Sequence, residues 1–282
     1  MNFALFPRLG WLAVIVGLVV GQARAEEPEP TANPPVHREE MGSLPKGLTA
    51  GSLRISPDGK HFAVVIVRGD KWTVYVDGVE SPEYDAVTED SIHFSPDSKR
   101  VAYGAMREGK GIVVVDGKEF PAGLACASGF PIFNATSERV LYVAAHPENK
   151  ASVIVDDKEG TTWEALAKGG PVFCPHGKHV FYVAKDGKGA RAVVDGVPGP
   201  LYDNIVAPAF GPGCKHLAYV ALTPDASILV VDGKEVVSAG NFVRDSLGFD
   251  SPGRLHILSI DNRSKVARFQ LDLPDAAQGE LP

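Results

Sequence analysis

The chain alternates short apolar runs, rich in β-branched and aromatic residues, with clusters of Gly, Pro and Asp. Within residues 92–115, for example, apolar runs at 92–94, 101–105 and 112–115 are separated by polar turn sequences. Such a pattern predicts β-strands joined by tight turns. Beyond the first 25 residues no segment shows a long apolar period of 3.6 residues, so the sequence predicts an all-β fold.

A block of about 39 residues recurs six times along the chain. Each copy is marked by the apolar residue that precedes a Ser-Pro-Asp-Gly turn or a degenerate version of it: Ile55, Phe94, Phe133, Phe173, Phe210 and Phe249. A second marker recurs at nearly the same spacing: Asp-Gly or Asp-Asp pairs begin at positions 77, 116, 156, 195 and 232. Two markers that move together indicate a genuine repeat.

Each repeat has apolar runs for four strands. An Asp-Gly pair between Val-rich runs suits a two-residue hairpin, and we expect the fourth strand after it, at residues 83–87, 162–166 and 201–205. Four strands in about 40 residues are typical of a propeller blade, whereas an open β-solenoid usually has shorter coils. The sequence therefore predicts a six-bladed β-propeller of four-stranded antiparallel blades over residues 47–273.

The last repeat predicts how the ring closes. Residues 247–273 contain only three strand-like runs before Pro274, while residues 47–50 precede the first repeat where a fourth strand would lie. We expect this N-terminal strand to pair with the outer edge of the last blade, since an unpaired edge promotes aggregation.

The turn motifs resemble those of a known family. Residues 55–60 (Ile-Ser-Pro-Asp-Gly-Lys) and 94–99 (Phe-Ser-Pro-Asp-Ser-Lys), each followed by a strand with an aromatic residue, resemble the WD-like repeats of TolB-type propellers. Similar blades occur in the propeller domains of prolyl oligopeptidases. The resemblance covers residues 48–273 and implies a propeller fold without implying a particular function. The α/β domain that precedes the propeller in TolB has no counterpart in this sequence.

Residues 1–25 predict a cleavable signal peptide. Arg8 precedes an apolar run at 11–20, and Ala23-Arg24-Ala25 is a small-x-small cleavage site. The alternative is a transmembrane anchor, but a bilayer span needs roughly 20 apolar residues, about twice this run. We expect export to the periplasm or the extracellular space, a Pro- and Glu-rich flexible linker at 26–46, no membrane span in the mature chain, and a tail at 274–282.

Recurring charged residues are the first candidates for a catalytic or metal-binding role, but their positions in turns indicate a structural role. The acids Asp58, Asp97, Asp77, Asp116, Asp195 and Asp232 all stand at turn positions, where Asp bonds its own backbone. One equivalent position, at the start of the second strand, holds His61, Arg100, Arg139, His179 and His216. A metal site is the alternative, but equivalent positions of a propeller are too far apart to share one ion. The sequence predicts neither a metal nor a cofactor.

The first strand of each blade normally lines the central channel. One face of it carries Arg54, His93, Ile132, Val172, Ala209 and Gly248. Arg54 and His93 are therefore the candidate channel-facing binding residues. No catalytic residue is identified, because the sequence contains no Gly-x-Ser-x-Gly nucleophile elbow and no Gly-rich phosphate loop before a helix.

The chain has three cysteines, Cys126, Cys174 and Cys214. Cys174 and Cys214 fall in corresponding turns of adjacent repeats, offset by three positions within the turn. They form the candidate disulfide of an exported protein, but we expect a pair of small buried or half-buried thiols instead. Cys126 has no evident partner.

These observations favour a binding function. The formal net charge of −7 argues against the basic surface that nucleic acids require. We expect an exported, non-enzymatic scaffold whose loops bind a protein, peptide or glycan partner. The alternative is a hydrolase or lyase that acts on a carbohydrate or peptide in the channel.

Overall fold

The computed structural model describes residues 37–38, 40, 42–44, 46–49, 52–88, 90–243, 245–261 and 263–274. The expected signal peptide (1–25), most of the expected linker (26–46) and nearly all of the expected tail (274–282) lie outside these residues. Within the described part, no helix is long and apolar enough to cross a bilayer.

The first half of the described chain forms three antiparallel sheets. Sheet one contains β1 (Arg54–Ile55), β2 (Phe62–Arg68), β3 (Lys71–Val76) and β4 (Val79–Glu80). Sheet two contains β5 (Ala86–Val87), β6 (His93–Phe94), β7 (Val101–Arg107), β8 (Lys110–Val115) and β9 (Lys118–Pro121). Sheet three contains β10 (Ala125–Cys126), β11 (Ile132–Phe133), β12 (Val140–Ala145), β13 (Ala151–Val155) and β14 (Lys158–Glu159).

The second half repeats this arrangement. Sheet four contains β15 (Ala165–Leu166), β16 (Val172–Phe173), β17 (Val180–Asp186), β18 (Gly189–Val194) and β19 (Val197–Tyr202). Sheet five contains β20 (Asn204–Phe210), β21 (Leu217–Leu222), β22 (Ser227–Val231) and β23 (Lys234–Ala239). Sheet six contains β24 (Gly248–Ser251), β25 (Arg254–Ile260) and β26 (Val266–Asp272). Two short 3₁₀ turns lie at Pro147–Asn149 and Pro212–Cys214.

Five apolar interfaces join consecutive sheets, from one and two through to five and six. Side chains alternate between the two faces of each strand, so β2 directs Ala63 and Val65 toward sheet two, where they pack with Tyr103. The result is an all-β propeller fold, and the sheets within the described residues correspond one to one with the sequence repeats. Closure of these sheets into a ring stays a prediction.

Asp-Gly pairs form two-residue hairpins, as the sequence predicts. In sheet one Val76 pairs with Val79, which leaves Asp77 and Gly78 as the turn. Both residues have positive φ, 45° and 96°, a conformation that Gly adopts freely and Asp tolerates. The same geometry recurs at residues 116–117, 156–157, 195–196 and 232–233.

The recurring basic residue pairs with the hairpin Asp of its own sheet. Arg100 Nε donates to Asp116 Oδ2 at 2.7 Å, and the amide of Val101 donates to Asp116 Oδ1 at 3.0 Å. Arg100 also donates to the carbonyl of Ser137, in the next sheet's turn, at 3.0 Å. Equivalent side-chain contacts are His61–Asp77, Arg139–Asp156, His179–Asp195 and His216–Asp232. These residues therefore hold strands and sheets together.

The predicted fourth strands at 83–87, 162–166 and 201–205 are divided between two sheets. Tyr84 pairs with Trp72 at the outer edge of sheet one, through backbone hydrogen bonds of 2.8 and 2.9 Å. Ala86–Val87 then pairs with Val101–Arg107 and begins sheet two. The chain changes sheet at Asp85, and residues 162–166 and 201–205 behave likewise. The prediction assigned each of these segments to a single fourth strand. It missed that the first strand of each sheet is interrupted and starts earlier than its Ser-Pro-Asp-Gly marker suggests.

The prediction that residues 47–50 complete the last sheet is wrong. Leu48 forms an antiparallel bridge with Ile66 of sheet one, and the amide of Thr49 donates to the carbonyl of Val65 at 3.0 Å. This segment is the first part of the interrupted first strand of sheet one, equivalent to Ala86–Val87 in sheet two. Sheet six therefore has three strands among the described residues.

Candidate functional site

A serine fixes the loop that interrupts the first strand in three of the sheets. In sheet two, Ser91 Oγ donates to the carbonyl of Thr88 at 2.7 Å and accepts the amide of Gly104 at 3.0 Å. Ser52 and Ser246 make the same pair of contacts in sheets one and six. The hydroxyl satisfies backbone groups that the interrupted strand leaves without a ladder partner. Each serine therefore ties a described end of its loop to the second strand of the same sheet.

Arg54 and His93, the two candidate binding residues, meet at one such loop. Arg54 Nη2 donates to Asp90 Oδ1 at 2.5 Å, and His93 Nε2 donates to the backbone carbonyl of Asp90 at 3.0 Å. Asp90 thereby joins the first strands of sheets one and two. Sequence analysis did not identify Asp90, although a signal exists: the aligned residue is glycine at positions 51, 129 and 169.

A pocket of about 350 Å³ lies beside this cluster, between sheets one and two. Trp72 and Ile92 are among its apolar walls, and Arg54 and Asp90 lie at its edge. Its remaining lining consists of small polar or apolar residues: Thr49, Ser52, Val65, Val87, Thr88 and Ser91. An aromatic wall with hydroxyls and an ion pair suits a small polar ligand.

Burial lowers the pKa of His93 below its ordinary value, and the positive charge of Arg54 acts in the same direction. The hydrogen bond to the Asp90 carbonyl opposes this shift, since it favours the protonated ring, but burial has the larger effect. The neutral ring is therefore favoured in the folded protein.

Acidification from pH 7 to pH 5 should destabilise the wild-type chain more than a His93→Asn variant. In the unfolded chain His93 binds a proton with its ordinary pKa, whereas burial disfavours that proton in the folded chain. The contribution of neutral His93 to the free energy of unfolding is therefore complete above about pH 6.5. This contribution is lost as pH falls through the lowered pKa of the folded state. The free energy of unfolding then changes by at most about 1.4 kcal/mol per pH unit. Urea denaturation at both pH values measures the difference. Parallel pH dependences of the two proteins would contradict the assignment.

A cavity of about 780 Å³ lies along the first strands of sheets four, five and six. We call it the inner cleft. Its walls are mostly apolar and include Val172, Val206 and Phe242, while Lys168 and Asp245 supply charge. Val172, which the sequence placed on the channel face, is 38% exposed there, as is Val206. The inner cleft can accommodate an extended apolar segment with polar groups at its edge.

The recurring His residues do not converge. Each one bonds the Asp of its own hairpin, for example His179 Nδ1 to Asp195 Oδ2 at 2.6 Å. Within the described part of the chain, no three His, Cys, Asp or Glu side chains lie close enough to hold a metal ion.

Cys174 and Cys214 are joined by a disulfide in the structure, with a Cα–Cα distance of 5.8 Å. The bond links the turns that follow the first strands of sheets four and five. Cys126 is a buried free thiol, and burial raises its pKa to about 12.

No family model matches the chain, and no curated protein matches its sequence. Solved structures that resemble it include TolB from Acinetobacter baumannii, with 13% identity over 64% of this chain and 50% of that one, and a TM-score of 0.34. The β-propeller domain of the Trilobed protease from Pyrococcus furiosus has 15% identity, coverage of 83% and 84%, and a TM-score of 0.35. Kluyveromyces lactis Hsv2 has 13% identity, coverage of 83% and 88%, and a TM-score of 0.37. The chain thus spans half the length of that TolB, and similarities at this level carry no information about function.

Proposed function

We propose that this chain is an exported binding scaffold that holds an extended segment of a protein or peptide partner in the inner cleft. One observation carries the proposal: the inner cleft, with a volume of about 780 Å³, is lined mainly by apolar side chains. Burial of apolar surface is the main driving force for association, and the few charged groups can fix orientation. The recurring acids and bases already bond one another within their sheets.

Export to the periplasm or the extracellular space belongs to the same proposal. Its supports are the signal-like sequence of residues 1–25 and the bond between Cys174 and Cys214. Disulfides persist in oxidising compartments and are rare where thiols are kept reduced.

Site-specific photocrosslinking in the native envelope tests the binding proposal. A photoreactive residue at Val172, in the inner cleft, should give a discrete adduct. The matched control is Val197, which lies in the outer strand of the same sheet and is 65% exposed; it should give none. The Val172 adduct should disappear when Val206→Asp is added, because the carboxylate makes the cleft wall polar and weakens binding of an apolar segment. The Tm of this variant should equal that of the wild type, which shows that the fold is intact. Equal labelling from both positions, or no adduct from Val172, would refute the proposal.

The second candidate function is hydrolysis or elimination on a carbohydrate or peptide. Its one favourable observation is that Arg54, Asp90 and His93 lie together beside a pocket with a Trp72 wall. A neutral His can act as a general base near neutral pH. Turnover of an oligosaccharide or peptide by the wild-type chain, abolished in His93→Asn and retained in Val206→Asp, would establish this alternative. Absence of turnover by the wild-type chain would eliminate it.

A further inference from the structure

Three pockets occupy equivalent positions at consecutive junctions between sheets, at the end where the Asp-Gly hairpins lie. Their volumes are about 180 Å³ between sheets two and three, 390 Å³ between three and four, and 200 Å³ between four and five. The first is lined by Arg100, Val115, Phe120, Glu138, Val140, Asp156 and Asp157. The residues one repeat later also line the second: Arg139, Val155, Gly160, Lys178, Val180, Asp195 and Gly196. The same site therefore recurs, and its size depends on sequence.

A missing side chain accounts for the larger volume at the junction of sheets three and four. Phe120 pairs with Val113 in sheet two, and its ring packs into the apolar interface with sheet three. Gly160 occupies the equivalent position in sheet three, where its amide donates to the carbonyl of Val153 at 3.0 Å. Gly160 itself supplies no ring, and the space in front of it is bordered by the Tyr182 hydroxyl, which lies 3.7 Å from where a Cβ on Gly160 would stand. We call this space the Gly160 pocket.

Two lysines at the Gly160 pocket have no acidic partner among the residues that the structure describes. Most charged groups in the lining are engaged: Arg139 bonds Asp156, and Glu159 accepts the hydroxyl of Ser152 at 2.8 Å. Neither Lys158 nor Lys178 forms an ion pair with a described residue. In the pocket between sheets two and three, the position of Lys178 is held by Glu138. The Gly160 pocket is thus distinguished by two free ammonium groups.

The neighbouring pocket shows that a glycine alone does not produce this combination. Gly199 takes the equivalent position in sheet four, but Val197 and Pro198 replace Lys158 and Glu159. That pocket is half as large and mostly apolar. Among these three sites, only the one at Gly160 pairs an unfilled aromatic-sized space with unpaired positive charge.

We propose that the Gly160 pocket binds an aromatic side chain of a partner protein that is flanked in sequence by a carboxylate. The ring takes the place that Phe120 fills one repeat earlier, against Val153, Val180 and Tyr182. Lys158 or Lys178 pairs with the carboxylate. In the sister site, Lys118 Nζ lies 4.6 Å from the centre of the Phe120 ring, so a lysine beside a bound ring has a precedent in this chain. The Gly160 pocket shares no lining residue with the inner cleft, so its failure would leave the proposed function intact.

The test is an NMR titration of the full mature chain, ¹⁵N-labelled, with the peptide acetyl-Gly-Ser-Asp-Phe-Asp-Ser-Gly-amide. We expect saturable shifts at millimolar peptide, centred on residues 153–160 and 178–182. A Gly160→Phe variant should bind at least tenfold more weakly, because the new ring repeats Phe120 and fills the space. A Cβ there would lie 3.1 Å from the Val153 carbonyl oxygen, a tight contact, so the variant's Tm is measured alongside.

A charge variant keeps the proposal testable if Gly160→Phe misfolds. Lys158→Glu/Lys178→Glu should weaken binding at least tenfold, while the matched control Lys60→Glu/Lys99→Glu, with the same charge change in sheets one and two, should bind like wild type. Replacement of Phe by Ala in the peptide should also abolish binding. No shifts with the wild-type chain, or equal binding by the charge variant and its control, would overturn the proposal. Equally tight binding of 3-phenylpropionate would overturn the assignment to a protein partner.

Discussion

Replacement of Cys174 and Cys214 together by serine should lower the free energy of unfolding by about 3 kcal/mol. The bond closes a chain segment with a sequence separation of 40, and it restricts the unfolded chain more than the folded one. Loop closure of this length is worth at most about 4 kcal/mol in the entropic account. Because the bond joins sheets four and five, its loss should also loosen their interface.

Urea denaturation with and without dithiothreitol measures this effect. Reductant should destabilise the wild-type chain as much as the double substitution does, and it should leave the double variant unchanged. Cys126→Ala is the control, since Cys126 is equally buried but unbridged; its stability should not respond to reductant. Alkylation of the denatured, unreduced chain should label Cys126 alone. Three labelled thiols would refute the bond.

Asp232→Ala should destabilise the chain by about 2–4 kcal/mol. Asp232 Oδ2 accepts from His216 Nδ1 at 2.7 Å, and Oδ1 accepts the amide of Leu217 at 2.9 Å. The His216 side chain is only 3% exposed and stacks on Phe249, although Asp232 itself is 26% exposed. The ring therefore has little access to water when its acceptor is removed. Buried donors without acceptors are among the costlier defects in a fold.

Asp77→Ala is the matched comparison for this effect. Asp77 makes the same two contacts in sheet one, but its partner His61 is 43% exposed. Water can solvate the exposed pair, so the loss should be about 1 kcal/mol. Thermal or urea denaturation of both variants checks the order. Equal losses would show that burial does not govern these ion pairs.

The repeat made most of the fold predictable. Apolar runs and Asp-Gly pairs specify strands and hairpins locally, and a spacing near 39 residues fixes where each sheet begins. The closing strand was misplaced because Leu48 lies one repeat before Val87, which belongs to a first strand. Thr49 and Ser52 likewise match Thr88 and Ser91, a signal that the marker turns alone do not reveal.

The candidate sites were less predictable because they depend on departures from the repeat. Arg54 and His93 could be identified by strand alternation, but their contact through Asp90 required the loop conformation. The significance of Gly160 depends on its register opposite Val153 and on the ring of Phe120 one sheet earlier. A glycine in one repeat is informative only when the space that it leaves is known.

The central claim is that the recurring acids and bases stabilise the sheets, so that binding is left to positions where the repeats differ. A double-mutant cycle of His216→Ala and Asp232→Ala, followed by urea denaturation, tests it most directly. The account predicts a coupling of about 1–3 kcal/mol between the two side chains. Strictly additive effects, with a coupling near zero, would contradict it, because the two side chains would then be free of each other in the folded chain.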